Sequence, residues 1–293
     1  MPKQKVHLVL GSGGARGITH IGVIDVLEAN GYEIISTAGC SMGAVVGGMH
    51  AAGFHQEYKD WMLSMTKSRI YGLFDLTLDR QGFVKGDRIF QILQKFIKVP
   101  HIEDFRIPFT AVASDIENRN EKWFRSGDLY RALRASIAIP GVFTPVREGD
   151  HVLVDGGVLN PLPLNAVNKQ DDAITVAVNL NAKPRNTKND KDKEIEEARI
   201  IRDVSHWLKI NMKFELSKRK TLGNPKPLTD ILLYSYHMTQ DRLIELMIEK
   251  HRPEILIDIP RDTCTTFEFH RAPELIETGR KACLKALHTF EKK

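Results

Sequence analysis

Apolar positions fall into short runs separated by amphipathic stretches, and the alternation sets the expected elements. Val6-His7-Leu8-Val9-Leu10 is a short apolar run that stops at Gly11-Ser12-Gly13-Gly14-Ala15-Arg16-Gly17. Ile18, Ile21, Gly22, Ile24 and Leu27 then recur at helical spacing as far as Asn30-Gly31. This predicts a strand, a glycine loop and a helix. Tyr32 to Thr37 predicts a second strand, feeding Ala38-Gly39-Cys40-Ser41-Met42-Gly43-Ala44. Gly43 to Gly53 predicts a helix whose Ala44, Gly47, Gly48 and Ala51 let it lie close against a sheet. Two such strand–helix units in succession imply an α/β fold with a mostly parallel central sheet covered by helices on both faces.

Further on, Phe54 to Val99 mixes helical patterns with loops and is rich in Trp, Met and Phe. It reads as a helical layer over the sheet, or more sharply as an apolar wall beside a site. Phe109–Ser114, Val152–Val154, Ile174–Val178 and Ile255–Ile259 read as strands, and Lys122–Arg125 as a hairpin partner. Leu129–Ser136 reads as a helix, as does a stretch through Ile231, Leu232, Met238, Leu243 and Leu246; Ala272–Phe290 forms a closing helix. Glu194–Lys220 also has helical spacing, with a basic later half at Lys209, Lys213, Lys218, Arg219 and Lys220. The plainer reading of that half is a solvated face; the sharper one is peripheral contact with an anionic membrane surface.

Composition narrows the class. Hydrophobic residues at 42% and charged residues at 27% are those of an ordinary globular chain, and a net charge of +5 does not argue for nucleic acid. No apolar run approaches the roughly 18 residues of a spanning helix, and the apolar stretch after Met1-Pro2-Lys3-Gln4-Lys5 is too short for a secretory leader. Cys40, Cys264 and Cys283 are irregularly spaced and read as reduced thiols, so a cytoplasmic setting is expected and no metal site. No cofactor is expected either. Oligomeric state is left open.

The chemistry centres on Gly39-Cys40-Ser41-Met42-Gly43, a G-x-S-x-G between a strand and a helix. This is the grammar of a nucleophile elbow, in which a sharp turn holds a serine at its tip. The glycine loop fits no dinucleotide fingerprint, because counting from Gly11 puts Arg16 at the third glycine position. It fits an oxyanion hole better: Gly13 and Gly14 can offer unobstructed N–H groups at a helix N-terminus. Arg16 either adds charge there or pins the loop through a carboxylate. Asp155, before Gly156-Gly157, ends a strand, and in a parallel sheet that places it at the same edge as the elbow. A triad would instead recruit a late histidine, from His237, His251, His270 and His288.

These motifs carry a resemblance. Gly11 to Val23, Gly39 to Gly43, Ala135-Ser136-Ile137-Ala138-Ile139-Pro140 and Asp155-Gly156-Gly157-Val158 stand in the order found in the patatin-like phospholipases, especially their stand-alone bacterial members. Ser12 departs from the family's usual first loop glycine, while Gly13, Gly14 and Arg16 are retained. The resemblance implies a three-layer patatin-like domain over 1–293, with core motifs in 6–180 and a helical extension in 181–293 ending in a late strand and closing helix. It implies a carboxylic ester hydrolase of phospholipase A or lysophospholipase type. Ser41 would be nucleophile and Asp155 general base, with no histidine, and a lipid ester would be the substrate. The Ala135–Pro140 segment has no evident chemistry and reads as shaping a loop. The alternatives are a Ser-Asp-His esterase and a non-catalytic lipid- or protein-binding module on the same scaffold.

Overall fold

A computed structural model describes residues 4–73, 75, 77, 84–99, 101–167, 172–185 and 228–292. Its strands are β1 (Gln4–Leu10), β2 (Tyr32–Cys40), β3 (Phe109–Asp115), β4 (Asn120–Phe124), β5 (Val146–Glu148), β6 (His151–Asp155), β7 (Ala173–Ala182) and β8 (Ile255–Pro260). They form one eight-stranded sheet in the order β5-β6-β3-β2-β1-β7-β8, with β4 paired to β3. The pairs β3–β2, β2–β1, β1–β7 and β7–β8 are parallel. β4, β5 and β6 add antiparallel pairings at one side. The mostly parallel sheet expected from the sequence is therefore present.

Alternation along β1 distributes its side chains between two cores. Val6, Leu8 and Leu10 join the larger one, with α1 (Thr19–Ala29), α2 (Met42–Ala51) and α8 (Ala272–Phe290). Val9 joins the smaller one, with Ala38, Val112 and Ala177, covered by Leu162, Leu164 and Ile244 of α7 (Leu228–His251). Helices thus lie on both faces, as a sheet buried on two sides requires. His7, also buried, pairs its Nδ1 with Ser36 Oγ at 2.6 Å, which makes burying an imidazole tolerable. The tail belongs to the same sheet through β8, and α8 packs along α1. Among the described residues no helix is long and apolar enough to cross a membrane. The expected helix over Glu194–Lys220 lies outside the described residues.

One expectation is corrected. The strand that carries Asp155 is antiparallel to β3, not parallel. Cys40 faces Val112 of β3, and Asp155 faces the next residue, Ala113. β6 therefore descends to the sheet edge where β2 delivers Ser41. Asp155 reaches that edge because β6 is short and runs the other way.

The Phe54–Val99 region forms α3 (His55–Leu63), α4 (Lys67–Leu73) and α5 (Asp87–Phe96). Asp25 of α1 anchors α3 by accepting from His55 Nε2 at 2.9 Å and Lys59 Nζ at 2.7 Å, and it takes Arg280 Nη2 of α8 at 2.7 Å. Burial alone would raise this carboxyl's pKa, but the hydrogen bonds from His55, Lys59 and Arg280 outweigh it and hold the group well below the usual range. α5 is fixed at its start, where Asp75 accepts from the N–H groups of Gly86, Asp87 and Arg88. α6 (Leu129–Ser136) joins it through Arg134 Nε and Asp87 Oδ1 at 2.9 Å.

Candidate active site

Between β2 and α2 the chain has no room to turn gradually. Ser41 adopts φ 55° and ψ −126°, a conformation that L-residues rarely take. Its carbonyl at once accepts from Ala44 N at 2.9 Å and Val45 N at 3.1 Å, starting the helix. The flanking glycines are required by contact: a Cβ on Gly43 would lie 2.1 Å from Leu10 O, and one on Gly39 2.4 Å from the Gly43 carbonyl carbon. Backbone strain of this kind costs on the order of 1–3 kcal/mol and persists only where surroundings over-determine it.

Ser136 supplies that determination. Its Oγ accepts from Ser41 N at 2.9 Å and donates to Val112 O at 2.7 Å, so one fully buried hydroxyl ties the elbow to β3. Two residues on, Ala138 O accepts from Asp155 N at 2.9 Å. The Ala135–Pro140 segment therefore braces both Ser41 and Asp155, more than the loop-shaping expected of it. The available signal was a lone hydroxyl in an apolar run, which needs a partner once buried.

Asp155 is completely buried. Its Oδ1 accepts from Gly157 N at 2.7 Å and from the Cys40 thiol at 3.8 Å. Oδ2 is buried without a partner in full hydrogen-bond geometry, while the Ser41 hydroxyl comes near enough to favour the charged carboxylate. Burial dominates and pushes the carboxyl up to about 6, against the opposing influence of Ser41, Gly157 and Cys40. Cys40 is buried, and burial together with the Asp155 charge raises its pKa well above the ordinary value, so it stays a thiol.

In the glycine loop the neighbouring N–H groups are occupied. Gly11 N donates to Val178 O, Ser12 N to Pro161 O, Ala15 N to Thr266 O and Arg16 N to Gly13 O. Gly13 and Gly14 N–H have no backbone acceptor among the described residues. His20 Nε2 lies 3.0 Å from Gly11 O, and burial lowers its pKa to about 4; the ring is neutral and donates that Nε2–H. Arg16 is buried and donates to Leu180 O at 3.1 Å, Cys264 O at 3.0 Å and Asn181 Oδ1 at 3.4 Å. These three acceptors are carbonyl oxygens. Asn181 Nδ2 in turn donates to Ser12 O at 2.9 Å, closing a network around the loop.

Ser41 and Gly14 also line a cleft. Its walls are apolar and come from Met42, Tyr58, Trp61, Leu93, Ile139 and Phe267 among others. The Phe54–Val99 helices thus form the wall beside the serine. None of the late histidines lines this cleft or hydrogen-bonds Ser41 or Asp155 among the described residues. His237 is buried, and its pKa is lowered to about 3 by burial and then by Arg261 and Arg16.

A serine at a strained strand-to-helix turn, on the edge of a mostly parallel sheet and open to an apolar cleft, defines a lipid ester hydrolase of α/β architecture. The profile of the patatin-like phospholipase family matches residues 8–167, more than half of the chain, and the chain belongs to that family. An uncharacterized NTE family protein of Mycobacterium tuberculosis is 33% identical over 332 residues, covering 98% of this chain and 92% of that protein. Lysophospholipase NTE1 of Cryptococcus neoformans is 36% identical over 169 residues, covering 55% of this chain and 10% of that much longer protein. Among solved structures, VipD from Legionella pneumophila superposes with a TM-score of 0.48 at 12% identity, over 99% of this chain and 67% of that one.

Proposed function

We propose that the protein is a serine lipid acyl hydrolase of lysophospholipase or phospholipase A type, working through Ser41 and Asp155. The observation that carries this reading is the buried Asp155 carboxyl, with one oxygen lacking any other partner and the Ser41 hydroxyl near enough to favour its charged form, beside a serine that lines an apolar cleft. Asp155 takes the hydroxyl proton as Ser41 Oγ attacks the ester carbonyl, and the N–H groups of Gly13 and Gly14 receive the oxyanion. Collapse of the tetrahedral intermediate returns the proton to the departing alcohol and leaves the acyl group on Ser41. Water, deprotonated by Asp155, then releases the fatty acid and restores both residues. A carboxyl raised to about 6 by burial is a better base than an ordinary aspartate and is still ionised at neutral pH. Arg16, which donates to Leu180 O and Cys264 O, holds the glycine loop in this reading. The acyl chain occupies the apolar cleft. The Ser-Asp-His alternative has no histidine among the hydrogen-bond partners of either residue to support it.

The reading extends to setting. Residues 1–293 act as one patatin-like domain, since β8 and α8 from the tail complete the sheet and its larger core. The protein works at the membrane periphery from the cytoplasm, which agrees with three buried free cysteines. The face that meets an anionic lipid surface lies by the cleft wall, where Leu63 and Tyr71 are 43% and 73% exposed near exposed Lys67 and Arg69.

The test is fatty-acid release from lysophospholipid in anionic vesicles. Ser41→Ala and Asp155→Asn are each expected to lower the rate by about 10³-fold or more. Wild-type kcat/KM should fall as pH drops below about 6, because protonated Asp155 cannot act as base. Wild-type rates in either variant would sink the dyad, and failure to sediment with the vesicles would sink the membrane contact.

A further inference from the structure

On the smaller face of the sheet, α7 touches the turn that follows the proposed base. Gln240 is 4% exposed, and its Nε2 donates to Gly157 O at 3.2 Å and to the Tyr236 hydroxyl oxygen at 3.0 Å. Both amide protons are therefore used, and the two acceptors fix which way the amide points. Gly157 is the residue whose N–H donates to Asp155 Oδ1 at 2.7 Å. A Cβ on Gly157 would lie 2.5 Å from Gln240 Nε2, 2.9 Å from the Tyr236 hydroxyl and 3.0 Å from Asp155 Oδ1. Three polar atoms from two elements thus converge on one backbone position, and the glycine is what lets them.

We infer that Gln240, supported by Tyr236, is a positioning residue for the hydrolysis, holding Gly157 by its carbonyl so that the N–H on the other side of its Cα stays on the Asp155 carboxylate. The inference rests on the proposed role of Asp155 as base. Gln240 touches neither substrate nor reacting atoms; it acts through Gly157. The titratable groups that face Asp155 are the Ser41 hydroxyl, the Cys40 thiol of β2 and the Tyr236 phenol of α7. Glu121 of β4 acts on Cys40. Burial and the Asp155 charge keep the phenol protonated, so across the working range Asp155 is the member of this group that titrates. The sign of the effect follows. The Gly157 N–H favours the carboxylate, so a loosened turn raises the pKa of Asp155 and moves the acidic limb of activity to higher pH.

Gln240→Leu keeps much of the side-chain volume and removes both donors. Expected are a kcat about 10-fold lower, a KM within about 3-fold of wild type, and an acidic limb displaced upward by about half a pH unit or more. The limb is read twice, in turnover and in the pH dependence of covalent labelling of Ser41 by a fluorophosphonate. Tyr236→Phe, the milder change, should move kcat and the limb in the same direction by less, and it serves if Gln240→Leu does not fold. A folded Gln240→Leu with wild-type kcat and limb overturns the inference. So does a lowered kcat with the limb unmoved, which is the mark of a purely structural role. Asp155→Asn labelling at the wild-type rate would instead overturn the base assignment itself, and the inference with it.

Discussion

The two sides of the site are built on different physics. The edge that carries Ser41 and Asp155 is held by backbone contacts and single hydrogen bonds at fixed atoms: Ser41 N to Ser136 Oγ, Asp155 N to Ala138 O, and a Gly43 that a Cβ would drive into Leu10 O. The cleft wall is held by apolar contact among many side chains of α3, α4 and α5, anchored at its back by the Asp25 cluster. Contacts of the first kind specify atoms, and those of the second specify little beyond volume. The edge should therefore tolerate almost no change of residue type, whereas the wall can be recut without losing the chemistry.

The largest predicted contrast is at Asp155. Asp155→Asn removes the proposed base and also a buried carboxylate whose pKa lies near 6 in the fold, above its unfolded value of 3.8. Because the folded value is raised, the charged form costs stability as pH climbs from about 4 to about 6, and the full cost remains above that. Asp155→Asn should thus be more stable than wild type at pH 7, by at most about 3 kcal/mol, with the gain gone below about pH 4. Paired melting and turnover curves at the two pH values check it. A less stable variant at pH 7 would deny that burial of the charge dominates.

Next comes Ser136→Ala. It leaves Ser41 N–H and Val112 O without their partner, and turnover should fall by about 10- to 100-fold with a stability loss of about 1–3 kcal/mol. Single-turnover acylation and denaturant unfolding separate the two effects. Unchanged acylation would mean that the elbow holds itself.

Recutting the wall should change preference more than rate. Ile89 of α5 lines the cleft and is partly exposed. Ile89→Trp should cut kcat/KM about 10-fold for long-chain esters and leave acetyl and butyryl esters within about 3-fold. An equal loss across chain lengths would remove the acyl chain from this cleft. The smallest expected effect is at the back of the wall. Asp25→Asn should lower Tm by about 2–4 °C at pH 7. The folded pKa of Asp25 is depressed, so its contribution is present above the unfolded value and fades as pH falls below about 4. A melting difference that persists at low pH would point to packing instead of charge.

What could be read from the chain follows the same division. Ser41, the glycine loop and the Asp-Gly-Gly turn stood out because close backbone approach and sharp turns restrict the residue types allowed, and the restriction shows in the letters. Gln240 did not, and although the segment holding Ser136 was one of the recognised motifs, what that hydroxyl does was not legible. A serine in an apolar run and a glutamine in a helix have too many ordinary partners for sequence to choose one. The direction of β6 was hidden for another reason: a three-residue apolar run at Val152–Val154 marks a strand but carries no arrow. The elements lining the cleft were legible as apolar helices, but which side chains would face Ser41 depended on how α3, α4 and α5 fold back over α2.

Ser41 and Asp155 are separated by more than a hundred residues, and their strands do not pair with each other. Both nevertheless hang from the three-residue stretch Ser136 to Ala138. A shared mount has a consequence for noise. Thermal displacement of that stretch carries the proposed nucleophile and the proposed base together, so the error enters their absolute positions and largely cancels from the gap between them. Proton transfer depends on the gap.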